Sequence, residues 1–401
     1  MTTGIFNTAG VGSTPNLIKP SFAQLITRLA PNGSVPLFGM TSMLPTETAV
    51  KPEHGFFTKT MVFPSLTSSL AALSTDVTMY VASSANVLQN MLMRNQRTSE
   101  VIMIAGVSGP TQVQIIRGIG STATAVNVSD KWYQIGTAFE ESSVRPNALQ
   151  INPVQITNLT QTFRNTWAVS GSAAETQVIA GEATVAESKQ DCAGFHAVDI
   201  ETGLIFGVKS SGVRNGQPFR TMDGLLSIVG NLSYYPPGTA ATNVYTAGST
   251  TNYTQLKNML DPVFNQMTDP KAGSERALFV GGGAFNVIND IGRLNGQYQL
   301  VDGQNSYGLQ FNSFRIPRGK FNMVQHGLFN SNADWSKLAV AVDMSSFRVA
   351  YLGKRKTMYQ DILGDDGIDA VGGTLTTELT AVVKNPPANA VIWNLTAGAA
   401  G

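Results

Sequence analysis

The chain is short of charge. Its 401 residues carry 27 Lys and Arg against 26 Asp and Glu, only 13% in all, where soluble chains hold roughly 25%. A surface with so few strongly hydrated groups suits burial against other subunits, because charge is depleted at the centre of interfaces. The plainer reading is a low-charge, β-rich protein. A net charge of +1 lacks the footprint of a dedicated nucleic-acid binder. Cys192 is the only cysteine, so neither an internal disulfide nor a cysteine-based zinc site can form. Met1 to Lys19 has no basic head leading into an apolar stretch, as a signal peptide would. No run approaches the ~20 apolar residues of a membrane helix. The expectation is a chain made and kept in a reducing cytoplasm, with no membrane partner. Its length implies two or three packed units.

What is present is organised in order along the chain. Pro15, Pro20, Pro31, Pro36, Pro45 and Pro52 forbid long helices and favour an extended arm. Within it, Phe22, Leu25, Ile26 and Leu29 form a stripe over about three turns of helix, too short to stand alone. From Val77 to Ile135 the pattern is β, with Val101–Ala105 turning through Val107–Pro110 into Gln112–Ile116. Another strand is expected over Val154–Thr162. A long helix is expected over Ala173–Phe206, its face drawn through Val178, Val185, Cys192, Phe195, Val198 and Ile205. Gly181, Gly194 and Gly203 weaken it. Residues 209–252 read as loop. A helix over Thr254–Met267, kinked or divided at Pro262, precedes the strand Arg276–Val280. Gly281-Gly282-Gly283 then opens a helix striped by Ala284, Val287, Ile288, Ile291 and Leu294. Strands follow at Phe321–Gln325, Lys337–Val342, Phe347–Leu352, Thr374–Val383 and Ala390–Leu395.

This order resembles the major capsid proteins of tailed double-stranded-DNA bacteriophages with the Hong Kong 97-like fold. The resembling stretches are Glu100–Ile104, Arg117–Ser121, Ile135–Glu141, Gln161–Thr166, Phe219–Leu225, Thr376–Thr380 and Lys384–Ala390. They run, in sequence order, within about residues 35 to 396, and no single motif among them is as specific as a zinc or P-loop signature. The resemblance implies an α+β chain. It divides into an N-terminal arm (1–55), an extended loop (56–165) with an inserted β module (about 77–136) and a peripheral domain with the spine helix (166–224). An α/β axial domain (225–346), peripheral strands with a charged loop (347–385) and a C-terminal return to the axial domain (386–401) complete it. It implies a shell subunit forming pentamers and hexamers of an icosahedral head around double-stranded DNA, in the virion. Its partners would be copies of itself, a separate scaffolding protein, a portal and a decoration protein. No charged helical stretch of scaffold type precedes the arm, so no large proteolytic trimming is expected. No motif assigns the Lys, Asn and Glu of cross-linking family members, so none is carried over.

The candidate sites are few, and none is catalytic, cofactor-binding or metal-binding. The arm stripe Phe22, Leu25, Ile26 and Leu29 is expected to dock on an adjacent subunit. Lys354, Arg355 and Lys356, followed by Asp361, Asp365, Asp366 and Asp369, read as a solvated loop or as a clamp joining neighbouring copies. The triglycine turn could cradle a phosphate but lacks the Lys-Ser/Thr of a P-loop. It underlies the competing reading of an α/β enzyme, and an encapsulin-like nanocompartment shell is the other alternative. His54, His196 and His326 lie in separate elements without metal-ligand spacing, and no Gly-x-Ser-x-Gly elbow exists.

Overall fold

The computed structural model describes residues 35–59, 63–145, 147–148, 152–176, 184–236, 239, 241–266, 274–294, 305–306, 309–310, 312–363 and 369–398. The arm stripe from Phe22 to Leu29 lies outside them. Two units emerge from the packing, and the fold is α+β.

The larger unit takes Met1–Phe56, Thr157–Tyr235 and Ala241–Gly401. Its six-stranded sheet runs Val244–Thr246, Ala390–Trp393, Ala339–Val342, Glu275–Val280, Gly319–Gln325, Asn312–Ile316. Successive side chains of a strand point to opposite faces, and here both faces are covered. Ala277, Phe279, Val340, Val342 and Val391 enter one core. Leu278, Val280, Ala339, Ala341, Ala390 and Ile392 enter another. That explains the near-continuous apolar runs of these strands. Helices α5 (Tyr253–Leu260) and α6 (Gly282–Leu294) line the second core through Leu256, Leu260, Ala284, Val287, Ile288 and Ile291. An Asn252–Gln255 capping box starts α5. Pro262 divides the predicted helix where expected, by starting a 3-10 turn over Asp261–Phe264.

A second sheet is built around the 14-residue strand Ala370–Val383. Gln161–Ser170 pairs antiparallel along one edge, while Phe347–Leu352 and Met358–Leu363 share the other. Glu47–Ala49 adds to Phe347–Leu352 in parallel. The expected strand Val154–Thr162 is two strands, Val154–Leu159 and Gln161–Ser170, meeting at buried Thr160.

The long helix expected over Ala173–Phe206 departs from expectation at its start and on its face. Helix α2 (Gly171–Glu175) ends where Thr176 turns extended, at φ −77° and ψ 127°. Helix α3 spans Thr184–Phe206. Its buried face is Cys192, His196, Ile200, Glu201, Leu204 and Ile205, at helical rather than heptad spacing. Phe195, expected inside, is 66% exposed. Two polar residues on the buried face hide the apolar stripe from a sequence reading.

The glycines of α3 differ in kind. A Cβ on Gly194 would meet nothing within 4 Å. A Cβ on Gly203 would come within 2.7 Å of the Phe163 ring and 3.1 Å of Met222. Gly194→Ala is therefore expected to raise the melting temperature through a gain of about 0.5–1 kcal/mol in helix propensity. Gly203→Ala should lower it through overpacking of about 1–3 kcal/mol. Thermal melts of the two variants check this, and equal shifts of one sign would contradict it.

The smaller unit, Phe57–Ile156 with Pro236–Ala240, is an antiparallel sheet. Its strand order is Ser65–Thr67, Lys131–Thr137, Met91–Asn95, Val101–Gly109, Gln112–Ile116, Thr78–Tyr80. The end strands meet through a Ser68–Val81 bridge and the bonds Ser69 N to Tyr80 O and Ala82 N to Thr67 O. The sheet thus closes into a small barrel. Met79, Met93, Ile102, Ile104, Val113, Ile115 and Trp132 fill it. Full closure leaves few unpaired strand edges.

Candidate functional site

No described group of His, Cys, Asp and Glu is arranged to hold a metal ion, and no described helix is long and apolar enough to cross a membrane. The polar groups buried in the larger unit instead tie elements to one another.

Glu201 of α3 is fully buried beside fully buried His326. Its carboxylate accepts the backbone N–H of Leu37 at 2.9 Å and of Phe38 at 2.6 Å. These open the short helix α1 (Pro36–Thr41), whose first N–H groups lack partners within the helix. The same carboxylate takes a bond from His326 Nε2 at 2.7 Å. His326 stacks on Phe329, ring centroids 4.2 Å apart. One residue thereby joins helix α1, helix α3 and the strand end of the six-stranded sheet.

His196, lower on the same helix face, binds Asn165 Oδ1 and Thr377 Oγ1, each at 2.7 Å. Burial holds its pKa below the usual imidazole value, opposed by nearby Asp199. It is a neutral link between α3 and two strands. His54 sits 3.3 Å from Glu47. Each of the three histidines has its own separate partners.

The triglycine turn is occupied by its own chain. A Cβ on Gly281 would lie 2.4 Å from Ser336 O, and one on Gly283 would lie 3.0 Å from it. The Gly282 N–H donates to Asn330 Oδ1 at 2.7 Å. The glycines permit this close backbone approach, and the leading N–H that could have met an anion is capped by a side chain.

Of the charged loop, Lys354, Arg355, Lys356 and Asp361 are exposed, and Asp365 and Asp366 lie outside the described residues. Arg355 Nε forms an ion pair at 3.1 Å with Glu378 of its own chain. Glu378 is buried and also binds Arg220 at 3.2 Å and the Thr160 hydroxyl at 2.9 Å. Lys356 Nζ lies 5.5 Å from the Tyr351 ring centre. Asp361 pushes the Tyr359 hydroxyl pKa up by accepting its hydrogen bond.

The family described as SU10 major capsid protein matches residues 1–396. The chain belongs to the SU10 major capsid protein family. The major capsid protein of Pseudomonas phage PaMx41 is 32% identical over 412 residues, covering 98% of this chain and 96% of that protein. Among solved structures, the capsid of an empty GTA particle covers 98% of this chain and 100% of its own, with TM-score 0.49 and 8% identity. The Mycobacterium phage Bobi structure covers 94% and 96%, with TM-score 0.48 and 12% identity. The holo-SrpI encapsulin complex from Synechococcus elongatus PCC 7942 covers 62% and 78%, with TM-score 0.43 and 11% identity. The expectation of a phage major capsid protein is borne out.

One element was missed in the sequence. Residues 209–252 read as loop, yet Ser210–Arg214 and Gln217–Thr221 form a hairpin. Asn215 and Gly216 turn it at φ 52° and 73°. Asn-Gly is the strongest short hairpin signal, and it stood in plain view. What hid it was the poverty of apolar alternation on either side.

Proposed function

We propose that the chain is a structural, non-enzymatic subunit with the Hong Kong 97-like architecture. Copies assemble into pentamers and hexamers of an icosahedral head that encloses double-stranded DNA without reading its sequence. Assembly takes place in the bacterial host cytoplasm, with a separate scaffolding protein, a portal and a decoration protein as partners. The observation that carries this reading is the family match over residues 1–396. The low charge supports it, because arms and loops that exchange surface with several neighbours need few hydrated groups. The arm stripe Phe22, Leu25, Ile26 and Leu29 is the proposed contact of the arm with an adjacent subunit. The charged loop is the proposed contact around a symmetry axis, with Lys354 and Lys356 of one copy meeting Asp361, Asp365 or Asp366 of the next.

Size-exclusion chromatography and electron micrographs of the expressed protein, with and without its neighbouring gene products, test the assembly. Closed shells are expected, and a monomer under all conditions would refute it. The same assay tests the loop. Arg355 is unsuited to a charge swap, because its reversal would set a carboxylate against buried Glu378. Lys356→Glu should lower particle yield, and Lys356→Glu with Asp365→Lys should recover part of it. Parallel cycles with Asp361→Lys and Asp366→Lys cover the other acids. Additive losses in every cycle would mean the loop is merely solvated.

A further inference from the structure

The hairpin Ser210–Thr221 is a surface that its own subunit leaves unfinished. Among the described residues its strands pair only with each other. Every residue from Val213 to Phe219 is exposed, Val213 at 74% and Phe219 at 43%. A lone two-stranded hairpin is marginal in water. Phe219 lies over the cross-strand Gly212, where a Cβ would come within 2.8 Å of its ring. Residues 209–221 include Lys209, Arg214 and Arg220 and no acid. Lys209 is answered by Glu53 at 4.0 Å and Arg220 by Glu378 at 3.2 Å. Arg214, beside the turn, has no side-chain bond or ion pair with any described residue.

A complementary surface lies in the barrel unit. Its acids are Asp76, Glu100, Asp130, Glu140 and Glu141. Asp76 caps Leu73, Glu100 holds Arg117 and Asp130 holds Arg97. The Glu140 and Glu141 carboxylates have no partner among the described residues. They sit on a turn closed by Ser143 N to Glu140 O, with Ser142 at φ 64°. Exposed Phe139 and Val144 flank them. Other exposed acids, such as Glu175 and Asp334, stand singly.

We propose that, in the assembled shell, the Phe139–Val144 turn of one copy seats on the Ser210–Thr221 hairpin of a second copy. Glu140 and Glu141 meet Arg214, and Phe139 and Val144 cover Val213 and Phe219. Charge sets the register, and the apolar side chains exclude water from it. The contact rests on the self-assembly reading above.

A reversal cycle tests it: Arg214→Glu, Glu140→Lys with Glu141→Lys, and the combination, each read as particle yield by sedimentation and micrographs. All positions are exposed, so each subunit should fold with a wild-type circular dichroism spectrum. Either reversal alone should cut particle yield about ten-fold, and the combination should return it to within about three-fold of wild type. A combined yield equal to the product of the single losses overturns the contact while wild-type shells leave the assembly reading intact. Wild-type protein that forms no shells removes both. Val144→Cys with Val213→Cys, oxidised by diamide in assembled particles, separates contact between copies from contact within one. A ladder of covalent multimers on a denaturing gel is expected, and monomer alone overturns the proposal.

Discussion

Glu201→Ala should destabilise the subunit by about 3–5 kcal/mol, the usual cost of removing one partner from a buried charged contact. Three donors depend on that carboxylate. The N–H groups of Leu37 and Phe38 have no partner inside their own short helix, and a six-residue helix cannot persist on propensity. The third donor is His326 Nε2, on a ring whose Nδ1 already lacks a partner. Losing the acceptor strands buried donors in a region that water cannot reach. Leu37, fully buried in the core, then has nothing to hold its backbone in place. The melting temperature of the unassembled subunit should fall by roughly 6–20 °C, at 2–4 °C per kcal/mol for a unit of this size. Amide exchange at Leu37 and Phe38 should speed up more than at the six-stranded sheet. Glu201→Gln keeps one acceptor oxygen and should fall between. A Glu201→Ala melt within 2 °C of wild type would show that helix α1 is held by packing alone.

That contact shows why part of the fold was legible in the sequence and part was not. Strand Glu275–Val280 and helix α6 were readable because their burial is uniform, a continuous apolar run on one and a stripe on the other. Helix α3 was readable as a helix, but its buried face was misplaced. Glu201 and His196 stand where apolar residues are expected, and only tertiary partners from residues 37, 165, 326 and 377 make those positions tolerable. The intrachain partner of Arg355 was illegible in the same way. Nearby aspartates suggested partners for Arg355 in sequence, while the strand pairing placed buried Glu378 beside it. Alternation and stripes are local, and the pairing of buried charges is not. Barrel closure was invisible too, because the Ser68–Val81 bridge joins ordinary loop residues.

Arg117→Ala should destabilise the barrel unit by about 3–5 kcal/mol and weaken the part of its acid sensitivity that Glu100 contributes. The Arg117–Glu100 pair is the unit's buried ion pair, with side chains 7% and 0% exposed and a closest approach of 2.7 Å. Arg117 also bonds the carbonyls of Leu73 and Thr124. Burial pushes the Glu100 pKa up, but the bonds from Arg117 and Thr124 outweigh it and leave the value lowered. Asp130 is lowered to about 2, first by its hydrogen bond from Arg97. A carboxylate whose folded pKa lies below its unfolded value contributes stability above the unfolded pKa and loses it as pH falls through the folded one. The wild-type barrel should therefore weaken as pH drops from about 4 toward 2. Without Arg117, burial acts on Glu100 with less opposition and its folded pKa rises, so less stability is lost to its protonation as pH falls. Hydrogen exchange over Val101–Ile116 at pH 7 and pH 4 reads this directly. Protection should fall in the variant at both, with the gap from wild type largest at pH 7 and narrower at pH 4, while the six-stranded sheet of the larger unit is unaffected. Glu100→Leu with Arg117→Met should recover only part of the stability, because the Thr124 N–H that Glu100 now accepts stays orphaned. Equal protection in Arg117→Ala and wild type at pH 7 would mean that the barrel is held by its apolar filling and its strand closure, with the ion pair incidental.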